Sequence, residues 1–160
     1  MHTDPAPEHA WLRHLIGRWR YTADCLMGPD QPRQTFTGIE TARMLGDFWL
    51  IAEGEGEMPD GDTGRSLLTI GFDPARGGYT GTWVGSMMTR LWVYEGRMDE
   101  SGRELTLAAE GPDFSGTGMA LYHDIHRIES EDRRLVVSKV RMPDGSWQEF
   151  MTAVYTRITA

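Results

Sequence analysis

The chain of 160 residues has one cysteine, no excess of basic side chains and no long apolar run, and each shortage removes a class of protein. A lone Cys25 cannot form an internal disulfide, which fits a reducing compartment, and the expectation is a cytoplasmic protein. Its place in an alternating strand pattern makes Cys25 a small buried side chain rather than a catalytic thiol. With 24 acidic against 16 basic side chains, the formal charge is −8. That field repels phosphate backbones and anionic lipid, so nucleic acid and membrane surfaces are not expected partners. Nothing approaches the roughly 18 apolar residues that span a bilayer as a helix. The start, Met1-His2-Thr3-Asp4-Pro5, lacks the basic end and apolar run of a secretory signal. Chemical motifs are missing as well: no phosphate-cradling glycine loop ahead of a Lys, no Gly-x-Ser-x-Gly elbow and no cysteine pair. Gly54-Glu55-Gly56 lacks the strand-to-helix context of a dinucleotide fingerprint and reads as a strand end.

What is present describes an ordinary globular chain with unusual fillers. The length suits one domain with its own core over residues 1–160, and 39% hydrophobic with 25% charged residues fits a soluble fold. Six Trp and ten Met stand out. They fill a wide interior, or they form an adaptable apolar pocket wall, because the flexible thioether tolerates varied partners.

One helix is expected over about 8–16. Pro7 and Glu8 suit its start, where a missing N–H is harmless and a negative charge meets the positive dipole end. Trp11, Leu12, Leu15 and Ile16 recur at near-helical spacing, and Gly17 is a natural stop. His9 and His14 do not share a face of this segment, so they read as exposed histidines rather than metal ligands.

From Arg18 onward the chain reads as strands and tight turns. Trp19, Tyr21, Ala23 and Cys25 alternate with Arg18, Arg20, Thr22 and Asp24, a period of two. Turn signals follow at Gly46-Asp47, at Met58 to Gly64, at Asp73-Pro74-Ala75-Arg76-Gly77, at Asp99-Glu100-Ser101-Gly102, at Ser130-Glu131-Asp132 and at Pro143-Asp144-Gly145-Ser146. About ten strands result, over roughly 18–158. An open sheet this long would carry hazardous edges, and closure removes them. The expected fold class is all-β: a closed antiparallel up-and-down β-barrel with one short N-terminal helix.

Gly17-Arg18-Trp19 at the start of the first strand, directly after a short helix, resembles the opening of the lipocalin-like calycins. That resemblance implies that Trp19 lies across the barrel floor and that an Arg near the end of the last strand, here Arg157, covers its ring. A guanidinium over an indole gains about 0.5–2 kcal/mol and ties the chain ends together. Further in, the runs Leu45-Gly46-Asp47-Phe48-Trp49-Leu50, Gly71-Phe72-Asp73-Pro74, Thr82-Trp83-Val84-Gly85-Ser86-Met87 and Asp144-Gly145-Ser146-Trp147 resemble a bacterial family, Domain of Unknown Function 1579. So do Leu105-Thr106-Leu107 ahead of Glu110-Gly111-Pro112, and Phe150-Met151-Thr152 ahead of Tyr155-Thr156-Arg157. The likeness runs along nearly the whole chain and implies a calycin-like barrel, but it carries no activity.

Polar chemistry concentrates on the eighth strand, Tyr122-His123-Asp124-Ile125-His126. Alternation puts Tyr122, Asp124 and His126 on one face and His123 on the other. The ordinary arrangement leaves that polar face outside, with Leu121, His123 and Ile125 inside. The reverse would line a cavity with groups able to relay protons or position a ligand. Metal binding lacks further ligands near His126. Haem is disfavoured too: nitrobindin-like barrels follow the opening Trp with a glycine-rich stretch and supply a His near the chain end, whereas here no His lies beyond His126. Glu53, Arg90, Lys139 and Glu149 interrupt apolar strands and are expected to point outward, since an unpaired buried charge is costly. Trp83, Trp92 and Tyr94 are the expected aromatic lining, and Ser86-Met87-Met88-Thr89 is a candidate rim, with Met87 a ligand contact. No cofactor, metal or catalytic residue is assigned. The leading expectation is a protein that holds a small apolar or amphipathic molecule in its barrel. The alternatives are a homodimeric interaction module without ligand, or an enzyme using His126, Asp124 and Tyr122 as acid–base groups.

Overall fold

The structure, a computed structural model, describes residues 3–26, 28 and 30–159. A short helix α1 (Pro7–Trp11) runs into a 3-10 turn (Leu12–Leu15). Ten strands follow: β1 (Gly17–Leu26), β2 (Arg33–Leu45), β3 (Trp49–Glu57), β4 (Thr63–Asp73), β5 (Gly78–Gly85), β6 (Trp92–Met98), β7 (Glu104–Pro112), β8 (Met119–Ser130), β9 (Arg133–Arg141) and β10 (Trp147–Arg157). Each strand pairs antiparallel with the next, and β1 pairs with β10, which closes the barrel. Among the described residues no helix is long and apolar enough to cross a membrane.

The connections are short and chemically dictated. Between β4 and β5, Gly77 adopts φ +66°, and its N–H donates to the Asp73 carbonyl at 2.8 Å. A left-handed residue lets so tight a turn reverse the chain, and glycine takes that conformation without steric cost.

The helical segment plugs one end of the barrel and departs from expectation in two ways. It winds as one α-turn followed by a 3-10 turn, rather than as an α-helix over 8–16. In a 3-10 turn, positions three apart lie on one face, so Leu12 and Leu15 both point into the barrel base, where they are fully buried. His9 is buried rather than exposed. Its Nδ1 accepts from the Ala6 N–H at 2.8 Å, which leaves Nε2–H to donate to the Phe72 carbonyl at 3.0 Å. The ring also meets Phe48 and Phe72 edge-on. His9 thus pegs the helix to β4, whereas His14 is exposed.

The chain ends meet at Trp19 and Arg157. Trp19 pairs across the sheet with Arg157, whose guanidinium lies 4.1 Å from the Trp19 ring centroid. The Trp19 indole N–H donates to the Leu15 carbonyl at 3.0 Å, and Arg157 Nη1 donates to the Ile16 carbonyl at 2.5 Å. Gly17, with φ +129°, has Arg157 Nη1 standing where a side chain would project. Replacing Gly17 with Ala is therefore expected to cost about 1–3 kcal/mol through backbone strain alone, and to disturb the Arg157 clasp as well. Urea unfolding of Gly17→Ala beside the parent chain measures it, and an unchanged midpoint would refute the account.

Candidate functional site

Alternation along each strand sorts side chains into an inner and an outer set. The inner set at the helix end is dense: Ala42, Leu50, Ile70, Tyr79, Leu105 and Leu107 pack on Leu12 and Leu15. A second, smaller cluster of Ala23, Cys25, Val136 and Ala153, with Tyr21, Phe36, Met151 and Tyr155 against it, covers β1, β9 and β10. A barrel filled solid would join its walls into one contiguous cluster. These two clusters stay separate. Tyr21, Trp83, Trp92, Asp124 and Tyr155 all point inward and are only partly buried.

The upper barrel, toward the end away from the helix, is aromatic. Trp92 and Tyr122 meet edge-on at 5.2 Å, and Tyr122 meets Phe150 at 5.8 Å. Phe114, from the β7–β8 loop, closes against Phe150 at 5.3 Å. The Trp92 ring fills the space a side chain on Gly111 would need. Trp83 reaches upward beside Gly85, where it shares the space with Met87, and Met58 lies over Gly64. Two loop methionines thus form one side of the rim. Phe114 and Met58 carried no sequence assignment, although a lone Phe in the polar run Asp113–Gly118 needs an apolar place to go.

The middle tier is polar. The structure reverses the expected facing of β8: Tyr122, Asp124 and His126 point inward, while Leu121, His123 and Ile125 lie outside. The reason is local. Asp124 accepts hydrogen bonds from the Tyr94 hydroxyl and from Ser138 Oγ at 2.5 Å, so the inner face supplies the partners a buried carboxylate requires. Burial pushes the Asp124 carboxyl up, against the opposing pull of Ser138, Tyr94 and the nearby His123. Burial, then the Asp124 charge, pushes the Tyr94 phenol up in turn.

Six of the seven candidate residues therefore face the interior while Met87 is exposed in the β5–β6 loop, and they do not form one chemical unit. Tyr122 spends its hydroxyl on the Pro112 carbonyl. His126 is buried, and its Nδ1 has no partner. Burial, then the Arg134 charge, pushes its pKa down to about 3, so the ring is neutral. It bonds neither Asp124 nor Tyr122, and the acid–base relay those three residues would need is not assembled. Among the described residues, no group of three or more His, Cys, Asp or Glu is placed to hold a metal. Cys25 is buried, and burial together with Asp24 lifts its thiol to about 11, far from the thiolate a nucleophile needs.

Glu53, Lys139 and Glu149 point outward as expected, whereas Arg134 lies inside. Arg134 is fully buried, pairs with Glu40, and lies 4.7 Å from the Trp19 ring and 4.0 Å from the Tyr155 ring. Arg90 leaves the outward pattern too. It sits in the β5–β6 loop and donates from Nη2 to the Glu110 carbonyl at 3.0 Å. That bond substitutes for a missing ladder: β6 pairs with β7 only from Glu95 to Met98, so its upper half stands apart from β7.

Concavities also occur on the outer wall. One of about 1110 Å³ is lined by Arg18, Arg20, Glu53, Glu55, Arg65 and neighbours. It is open, carries charges of both signs and includes none of the seven candidate residues.

The comparisons bear on fold and family. The barrel is similar to Rv2717c from M. tuberculosis, with TM-score 0.71 and 16% identity over 98% of this chain and 100% of that one. It is similar to the S-type phycobiliprotein lyase CPES from Guillardia theta, with TM-score 0.63 and 12% identity over 96% and 93% of the two chains. The structure of EF1p2_mFAP2b bound to DFHBI matches with TM-score 0.50 and 12% identity, over 94% and 98%. Such identities show a shared fold and nothing finer. No curated protein gives a significant sequence match. The family profile described as a protein of unknown function (DUF1579) matches residues 4–157, and the chain belongs to that family.

Proposed function

We propose that this protein binds one small amphipathic molecule inside its calycin-like barrel, with the apolar part in the upper aromatic tier. The observation that carries the reading is the unjoined core. Apolar clusters line separate walls, and the inward residues between them keep accessible surface. A concave, mostly apolar cavity with a few convergent polar groups is the usual form of a small-molecule site. Trp83, Met87, Trp92 and Tyr122 supply the apolar wall, and Tyr94 and Asp124 supply the polar floor. The fold neighbours that carry a chromophore-handling name or a bound dye, the phycobiliprotein lyase and the DFHBI complex, are in keeping with a barrel used as a container.

Titration with the apolar dye N-phenyl-1-naphthylamine is expected to give saturable binding of one dye per chain, with quenching of Trp fluorescence. Trp83→Ala is expected to weaken it several-fold while the variant keeps the β-sheet circular dichroism of the parent. No saturable binding, together with native mass spectra showing only the bare chain, would end this reading.

A further inference from the structure

Resting on that reading, we infer that the ligand carries a hydrogen-bond-donating, uncharged or cationic head, an alcohol or amine, which descends to the middle tier and binds Asp124. Four polar groups of that tier point inward without satisfying one another. Asp124 receives two donors, Tyr94 and Ser138, one on each carboxylate oxygen. A carboxylate offers about four acceptor sites, so each oxygen has capacity left. The hydroxyls of Tyr21 and Tyr155 have no hydrogen-bond partner among the described residues, although both side chains point inward, with their rings 5.4 Å apart. Asp124 is near enough to Tyr155 for its charge to add to burial and to Glu40 in raising that phenol. His126, two residues from Asp124 on the same inner face, has an unpartnered Nδ1 and is 6% exposed.

His126 Nδ1 is buried with no partner, which native interiors rarely allow, and Asp124 beside it on the same face keeps spare acceptor capacity. Apolar filling would leave that capacity unused, whereas a head group able to donate would meet Asp124, and a Tyr hydroxyl could accept from an ammonium or exchange a bond with an alcohol. The signs exclude the opposite polarity. The one buried cation near this tier, Arg134, pairs with Glu40 through Nη2 and keeps Nε without a partner, so one guanidinium stands against two carboxylates. A carboxylate head would add a third negative charge beside Asp124. Length is consistent as well: the aromatic tier of Trp92, Tyr122, Phe114 and Phe150 lies directly above and takes the tail.

The test is displacement of N-phenyl-1-naphthylamine from the full chain by 1-dodecylamine, 1-dodecanol and dodecanoate at neutral pH. The amine and the alcohol are expected to bind at least tenfold more tightly than the carboxylate. Asp124→Asn should weaken the amine most and narrow the gap of both amine and alcohol to dodecanoate. Because Asp124→Asn disturbs the Tyr94 and Ser138 bonds, Tyr155→Phe provides a second variant. It removes a hydroxyl that has no protein partner, so it should fold normally and weaken the alcohol and the amine several-fold while sparing the dye. Dodecanoate binding as tightly as the amine, or an Asp124→Asn chain that folds and keeps the original gap to dodecanoate, overturns the inference and leaves the cavity reading intact. Failure of the dye itself to bind overturns both.

Discussion

Arg134→Met is expected to destabilise the barrel by about 3–5 kcal/mol, the usual cost of removing one partner from a buried ion pair. The side chain of Arg134 is 2% exposed and that of Glu40 12%, so loss of the guanidinium leaves a carboxylate facing low dielectric with no counter-charge. The same substitution removes the cation from the Trp19 and Tyr155 rings, contacts worth about 0.5–2 kcal/mol when desolvated. For a domain whose whole stability is about 5–15 kcal/mol, the loss is severe. In a chain of this size it corresponds to a fall in Tm on the order of 10 °C. The double variant Glu40→Met with Arg134→Met separates charge from packing. It removes both ions and refills the space with apolar side chains, so it should recover most of the loss. Urea unfolding of the parent, the two single variants and the double variant gives the coupling directly. If the double variant is as unstable as Arg134→Met alone, the damage lies in packing on Trp19 rather than in a stranded charge.

That pair also marks where the sequence stops being informative. Strand periodicity, turn glycines and the Gly17-Arg18-Trp19 opening rest on local chemistry, and they led to a closed barrel of ten strands clasped by Trp19 and Arg157. The facing of a strand is not local when both of its faces mix polar and apolar residues. On β8 the set Leu121, His123 and Ile125 is more apolar than Tyr122, Asp124 and His126, yet the second set is inside. The choice is made by β9 and β6, which bring Ser138 and Tyr94 to Asp124. On β9 the alternative sets, Arg134, Val136, Ser138 and Val140 against Leu135, Val137 and Lys139, are equally ambiguous. Glu40 and Arg134 lie 94 residues apart, and nothing in either neighbourhood announces the other. His9 shows the same limit at smaller scale: its burial depends on Phe48 and Phe72, which arrive from elsewhere in the chain. The inward facing of Trp83, Trp92 and Tyr94 was legible because large rings in a barrel need somewhere large to go. The polar bonding of Asp124 to Tyr94 and Ser138 was not.

Acid should weaken the native state through His126. The ring has its usual pKa of 6.5 when unfolded and is pushed down to about 3 when folded, first by burial and then by the Arg134 charge. Between those values the unfolded chain binds a proton that the folded chain refuses. Stability from this group is therefore complete above about pH 6.5 and is lost as pH falls toward 3. At about 1.4 kcal/mol for each tenfold change in proton activity, roughly 3 kcal/mol should disappear between pH 7 and pH 4. Asp124 works the other way. Its carboxyl is raised in the fold, so the native state takes up that proton first and gains stability on acidification. The two slopes partly cancel in the parent chain, which makes a variant the cleaner measurement. His126→Leu places an apolar side chain opposite Leu105 and Val136 and leaves no group to titrate. Its stability at pH 4 relative to pH 7 should exceed that of the parent by roughly 3 kcal/mol, with the Asp124 contribution common to both. Urea midpoints collected for both chains from pH 7 to pH 4 test this. Parallel curves would mean that His126 takes up its proton in the fold as readily as in the unfolded chain, and that the interior around Nδ1 is wet rather than closed.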